Sequence, residues 1–186
     1  MKTIFYLTSN KKKFTVAKNA LRDQEVELVQ KDIDTPEIQH GEVEMIASYS
    51  ARWAADTLDT PVVLTDGGFY ITALNGFPGP FIKFVNNWLV EQDFLNLMKK
   101  KSDRSILVKE CLAYCEPHSK PVTFTGEFHG TMAAQAGTAS ETTPINNLFI
   151  PEGYNKPASE LPEQDVVQFW SSNPVWKELV QYLNTA

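Results

Sequence analysis

Three short stretches hold residues whose types and spacing could do chemistry on an anionic ligand. The first is Thr8-Ser9-Asn10-Lys11-Lys12-Lys13. An apolar run ends there in hydroxyl and amide side chains, and three lysines follow. The N–H groups at a helix start carry partial positive charge and ordinarily favour acids, so lysines there are locally unfavourable. A bound anion would relieve the repulsion and take up the free N–H groups; a solvated basic turn is the plainer alternative. The second stretch is Thr35-Pro36-Glu37-Ile38-Gln39-His40-Gly41-Glu42. Glu37 or Glu42 could reach a metal ion from this loop or remain a surface carboxylate, and His40 reads as a solvated loop histidine. The third is Leu64-Thr65-Asp66-Gly67-Gly68. It puts one carboxylate at the end of a buried strand, beside glycines with no side chain to block a ligand. Ligands in open α/β sheets bind at strand C-termini. With Glu37, Asp66 could hold Mg2+, which usually takes one or two carboxylates, waters and substrate phosphates. Asp66 could instead orient an attacking water, or merely cap a turn.

The elements that must position these residues follow from periodicity. Residues 3–7 are β-branched and aromatic and read as a first strand. Phe14, Ala17 and Leu21 recur at helical spacing, so 11–22 is a helix, with Thr8-Ser9-Asn10 as its turn and cap. A second strand over 26–30, a loop over 32–41, a helix over Val43–Leu58 and a third strand over 62–65 complete a β-α-β-α-β order. That order implies a mostly parallel sheet. Residues 80–100 read as one or two helices starting near Pro80. Strands are expected over 105–114 and Val122–Met132, joined by a turn with a proline near each end. Gly126 and Gly130 in the second of these mark a bulge or close backbone packing, and His129 between them reads as structural. Residues 133–147 read as loop and 175–183 as a C-terminal helix.

Bulk properties bound the possibilities. The 186 residues make one domain, or one domain with two lobes. The net charge of −6 argues against non-specific nucleic-acid binding, which needs a basic face. No apolar run approaches the ~20 residues that span a membrane, and the N-terminus turns polar too soon for a signal peptide. A cytoplasmic protein with no nucleic-acid or membrane partner is the expectation. Cys111 and Cys115 lie on one face of a strand, about 13 Å apart by the strand rise. That is too far for a disulfide, so both read as buried thiols.

In this order the pieces resemble the inosine triphosphate pyrophosphatase family. The resemblance spans roughly 3–162. It rests on Thr8-Ser9-Asn10 with Lys13, on Thr35-Pro36-Glu37, on Asp66-Gly67-Gly68, on Ala73-Leu74-Asn75-Gly76-Phe77-Pro78-Gly79-Pro80-Phe81-Ile82-Lys83, and on Gly126 with Gly130. It implies a single two-lobed α/β domain over 1–186, with a long mixed sheet flanked by helices, a cleft between the lobes, and a homodimer. It implies Mg2+-dependent hydrolysis of a (d)NTP to the (d)NMP and pyrophosphate. By position, Thr8, Ser9, Asn10, Lys13 and Gly67 would hold the substrate. Glu37 and Asp66 would bind the metal, and Asp66, Glu37 and Lys13 would be catalytic. The chain departs from the family in four places. Thr65 stands where the family has a first acid, and Ser50 where it has a lysine. Thr143-Pro144-Ile145-Asn146 replaces Phe-Gly-Trp-Asp, and 166–172 lacks the Lys-Asn pair and Ser-His-Arg. Removing such donors alters what base a site can read, so an altered base preference is expected. Phe149, Phe169 and Trp170 could supply a stacking surface, or belong to the core or a dimer interface. The alternative is a catalytically weak nucleotide-binding or interaction protein on the same fold.

Overall fold

The computed structural model describes residues 2–22 and 24–185. Its strands are β1 (Lys2–Leu7), β2 (Val26–Lys31), β3 (Val62–Ile71), β4 (Pro78–Gly79), β5 (Ser105–Cys115), β6 (Val122–Met132) and β7 (Phe149–Pro151). Its helices are α1 (Lys11–Ala20), α2 (Val43–Leu58), α3 (Ile82–Trp88), α4 (Glu91–Leu97), α5 (Glu163–Ser171) and α6 (Val175–Thr185). The sheet order is β2-β1-β3-β5-β6-β7, with β4 paired to β3. β1 runs parallel to β2 and β3, while the β3/β4 and β6/β7 pairs are antiparallel. The fold is therefore α/β on a mixed sheet flanked by helices. Among the described residues no helix is long and apolar enough to cross a membrane.

The chain forms two compact units. The first takes the chain up to Asp66, Glu110–Gly126, and everything from Val167; the second takes Gly67–Lys109 and Glu127–Val166. In the first unit, strand alternation sorts the side chains into two layers. Ile4, Tyr6, Val63, Leu112 and Tyr114 pack with Ala17 and Leu21 of α1 and with Val175, Trp176, Leu179 and Val180 of α6. Leu7, Val62, Leu64, Cys111, Ala113 and Cys115 face the other way, onto Val43, Ala47, Ala51, Ala54 and Ala55 of α2. Helix α2 can sit close to the sheet because its buried stripe is mostly alanine. Both cysteines are buried and free, as their spacing predicts.

The second unit holds the remaining parts of β3, β5 and β6, with β4, β7, α3, α4 and part of α5. Its core includes Phe94, Ile106, Val108, Phe128, Ile145, Leu148 and Phe149. Three readings change here. β3 does not end at Asp66 but runs on to Ile71. Gly67 and Gly68 keep it in the sheet: a Cβ on Gly67 would lie 3.2 Å from Lys109 O, and one on Gly68 2.9 Å from the Gly79 backbone. The glycines admit close neighbours and do not stop the strand. Residues 80–100 form two short helices, α3 and α4, as one of the two expected arrangements had it; what changes is the start, which is Ile82 and not Pro80. β7 and α5 were not anticipated. β7 is three residues long, too short to show alternation, and no residue of α5 is fully buried, so neither carries a strong periodic signal.

Candidate functional site

The start of α1 is built by its own cap. Asn10 has extended backbone, and its side chain accepts from the N–H groups of Lys12 (2.9 Å) and Lys13 (3.2 Å). Asn10 N–H in turn donates to Thr8 Oγ1 at 3.1 Å. The Thr8 backbone is fixed to β2 on both sides: its N–H donates to Lys31 O at 3.1 Å, and its carbonyl accepts from Gln30 Nε2 at 2.9 Å. This changes the expected chemistry. Two of the helix N–H groups assigned to a bound anion are already taken by Asn10. What the turn offers an anion is the hydroxyl of exposed Ser9 and the side chains of Lys11, Lys12 and Lys13, all exposed. Lys13 is the one the structure aims: its Nζ donates to the carbonyl of Thr65 at 3.2 Å.

Thr65 and Asp66 point to opposite faces of β3. By the alternation that sends Val63 to the α1/α6 layer and Val62 and Leu64 to the α2 layer, Thr65 lies on the Lys13 face and Asp66 on the α2 face. Tyr6 confirms the first placement, since its hydroxyl is 2.8 Å from Thr65 Oγ1. Burial drives the Tyr6 phenol well above its ordinary range, so it is neutral and serves as a fixed hydrogen-bonding post. On the α2 face, burial pushes the Cys111 thiol up to about 12, and the nearby negative charges of Glu44, Asp66 and Glu110 add to the shift. The loop carrying Glu37 is tied to α2 as well. Ser50, buried in that helix, donates its hydroxyl to Pro36 O at 3.0 Å. Glu37 itself is exposed. Ser50 is therefore an anchor for the Thr35-Pro36-Glu37 loop.

The sequence reading passed over Glu110. It sits in β5 within an apolar run, on the same face as Leu112 and Tyr114, which belong to the α1/α6 core. Asn173 Nδ2 donates to Glu110 Oε2 at 2.9 Å. Loss of solvent raises the Glu110 carboxyl above the usual carboxylate range, opposed by the Lys13 ammonium and by the Asn173 bond. The detectable signal was a charged residue at an inward-facing strand position; Glu110 is half-buried there, and such acids rarely occur without a partner. Asn173 is itself buried. Its Oδ1 accepts from Val175 N–H at the start of α6, 3.3 Å away. A Cβ on Gly126 would run into the Asn173 side chain, which explains the glycine noted in β6 from the sequence.

Two expected substrate-binding residues lie in the second unit. Gly67 continues β3 directly after Asp66. Phe149 has no exposed surface, and its ring meets Phe69 edge-on at 5.4 Å between centroids. That burial makes Phe149 a core residue, which corrects its assignment as a stacking platform. Ile145 and Asn147 of the expected base-reading segment are also buried. The Asn147 amide donates to Glu91 Oε1 and Ala139 O, at 2.7 and 2.9 Å. Phe169 and Trp170, in the first unit, are half-buried and pack on each other at 5.0 Å.

A family model described as the Ham1 family matches residues 4–169 of this chain. A dITP/XTP pyrophosphatase of Methanopyrus kandleri is 38% identical over 158 residues, which is 85% of this chain and 84% of that protein. An inosine triphosphate pyrophosphatase of Ajellomyces capsulatus is 35% identical over 140 residues, 75% of each. Among solved structures, a HAM1 protein from Coxiella burnetii aligns over 100% of both chains with a TM-score of 0.81 at 22% identity. A Ham1 protein of Staphylococcus aureus aligns over 99% of both with a TM-score of 0.78 at 19% identity. Those two likenesses concern the fold.

Proposed function

Because this chain belongs to the Ham1 family, we propose that it hydrolyses nucleoside triphosphates to the monophosphate and pyrophosphate. The observation that carries the reading is Lys13. It projects from the capped Thr8-Ser9-Asn10 turn onto the carbonyl of Thr65, one residue before Asp66. Relatives named as dITP/XTP and inosine triphosphate pyrophosphatases support it. In this reading Thr8 and Asn10 hold the shape of the turn, while Ser9 and Lys13 bind phosphate oxygens. Gly67 leaves the backbone beside Asp66 bare.

Mg2+ is the expected cofactor, and the donor set limits how it would be held. Among the described residues no group of three or more His, Cys, Asp or Glu could hold a metal ion. Two carboxylates, Asp66 and Glu37, match a hard cation that arrives with the triphosphate and keeps its waters; they do not make a resident cage. Asp66 and Glu37 would be its protein ligands, and it would supply positive charge against the phosphates. Asp66 also suits the orienting of the attacking water by accepting its hydrogen bond.

The base preference in this reading differs from that of inosine and xanthosine triphosphatases. Residues 143–147 contribute Ile145 and Asn147 to the second unit's interior, with the Asn147 amide donors already bonded. The reading also includes a homodimer. Met45, Tyr49 and Trp53 recur every four residues on α2 and remain exposed, an apolar stripe that a second copy would cover. Sedimentation at micromolar concentration should return twice the mass of one chain; a monomer would remove that part of the proposal. The catalytic part is tested by Asp66→Asn. Phosphorus NMR with Mg2+ and a substrate triphosphate should show pyrophosphate and monophosphate from the native chain and essentially none from the variant at an unchanged Tm. Undiminished turnover by the variant would dismiss the role of Asp66.

A further inference from the structure

We propose that Tyr6 is a positioning residue for Lys13: its hydroxyl holds Thr65, whose carbonyl receives the Lys13 ammonium, and its ring packs on Phe14, the next residue of α1. Lys13 is exposed and has four rotatable bonds, so by itself it would sample many placements. The structure places its Nζ at one, 3.2 Å from Thr65 O. That placement needs two things kept in register, the carbonyl at the end of the reach and the helix turn at its start. Tyr6 touches both. Its hydroxyl lies 2.8 Å from Thr65 Oγ1. Its ring centroid lies 6.4 Å from that of Phe14, with the planes tilted by 33°. The β1/β3 register sets Tyr6 opposite Val63, so the phenol reaches two residues forward along β3 to make its bond. Thr65 is β-branched and stiff at χ1, so holding its Oγ1 restrains its backbone as well.

A phenylalanine would fill the same space. Tyr6 is 1% exposed and lies among Ile4, Val63, Leu112 and Trp176, with the Trp176 ring edge-on at 5.2 Å. A hydroxyl placed there must be bonded or it destabilises the fold. The bond, once made, adds little net stability, because water supplies an equivalent one in the unfolded chain. What the hydroxyl adds is direction: its partner is the residue that carries the Lys13 acceptor. Burial keeps the phenol protonated, so this support brings no charge that would compete with phosphate for the ammonium. Tyr6 is too enclosed to touch substrate and acts only through Thr65 and Phe14.

This inference rests on the reading of Lys13 as a phosphate ligand. Its test pairs binding of inorganic tripolyphosphate, measured by calorimetry in Mg2+, with pyrophosphate-release kinetics. The proteins are native, Tyr6→Phe, Thr65→Val, Thr65→Ser, Lys13→Met, and the first two variants each combined with Lys13→Met. Tyr6→Phe keeps the ring and deletes the hydroxyl, while Thr65→Val keeps the carbonyl and deletes the partner. Each should weaken tripolyphosphate binding and lower kcat/KM at least about threefold more in the native chain than in Lys13→Met, the coupling expected within one network. Combining Tyr6→Phe with Thr65→Val should be no worse than either alone, since both remove the same bond. Thr65→Ser, which restores the hydroxyl, should recover most of the loss seen in Thr65→Val. A tyrosine with a merely structural role would change the Tm and leave these ratios alone. If Tyr6→Phe folds poorly, Thr65→Val carries the cycle. Equal effects in the two backgrounds, or unchanged tripolyphosphate affinity in the folded variants, overturn the proposal. A native chain that binds tripolyphosphate with the predicted coupling but releases no pyrophosphate overturns the hydrolase reading and leaves the Tyr6 role standing. A native chain that binds no tripolyphosphate overturns the reading of Lys13 and this proposal with it.

Discussion

Lys13 and Asp66 stand on opposite faces of one strand, and a single backbone carbonyl, that of Thr65, connects them. The residue-level account therefore assigns them separable work. Lys13→Met should lower kcat/KM by about 10²-fold, in the range for removal of one pre-placed electrostatic group. It should also lower the Tm, because the Glu110 carboxyl loses the positive charge that opposes its desolvation. Steady-state kinetics beside a thermal melt checks both halves. The thiols give a second prediction. Cys111 is lifted from its ordinary 9.0 to about 12, and Cys115 is lifted as well, chiefly by burial. Neither should react with a disulfide reagent at pH 8 until the protein is unfolded; a fast-reacting thiol in the native protein would contradict the packing of β5 on α2. The sign for stability follows. The folded state holds the Cys111 proton more tightly than the unfolded chain does. Its contribution is complete below pH 9 and is lost as pH rises from 9 toward 12. Denaturant melts across that window should show stability falling with pH.

Among the elements, the strands β3, β5 and β6 decide the site, and glycines decide the strands. Gly126→Ala would drive a methyl group into Asn173. It should cost about 1–3 kcal/mol in denaturant unfolding, as overpacking usually does. An alanine that leaves stability unchanged would mean that Asn173 does not pack as described. Asn10→Ala should cost about 1 kcal/mol through loss of the α1 cap. Much of this was legible beforehand. The α2 limits follow from its apolar spacing, the cap from Asn10 before a lysine run, and the free cysteines from their four-residue separation. Two failures have physical causes. The Asp66-Gly67-Gly68 run reads locally as a strand end, because glycine disfavours strands; only the closeness of Lys109 and Gly79, distant in sequence, shows why β3 continues. Phe149 is an exposed platform or a core ring depending on which partner covers it, and Phe69 does. Glu110 was visible as an acid beside apolar residues, but its hydrogen-bond partner Asn173 lies 63 residues on, just before α6, which local pattern cannot bring together.

At the scale of the whole molecule, the match to the Ham1 family model over 4–169 covers parts of both compact units. The fold is shared with the solved HAM1 structures. In the second unit, Ile145 and Asn147 of the 143–147 segment are buried. The most direct test of the account is pyrophosphate release with Mg2+ across a broad panel of triphosphates, including ITP, XTP, dUTP, the common nucleotides and modified pyrimidine triphosphates. The account predicts release of pyrophosphate and the monophosphate from one or a few of these, with ITP and XTP not the best substrates and with activity lost in Asp66→Asn. Folded protein that binds a nucleotide yet releases no pyrophosphate from any of them would contradict the enzyme reading and leave a nucleotide-binding protein on the same fold.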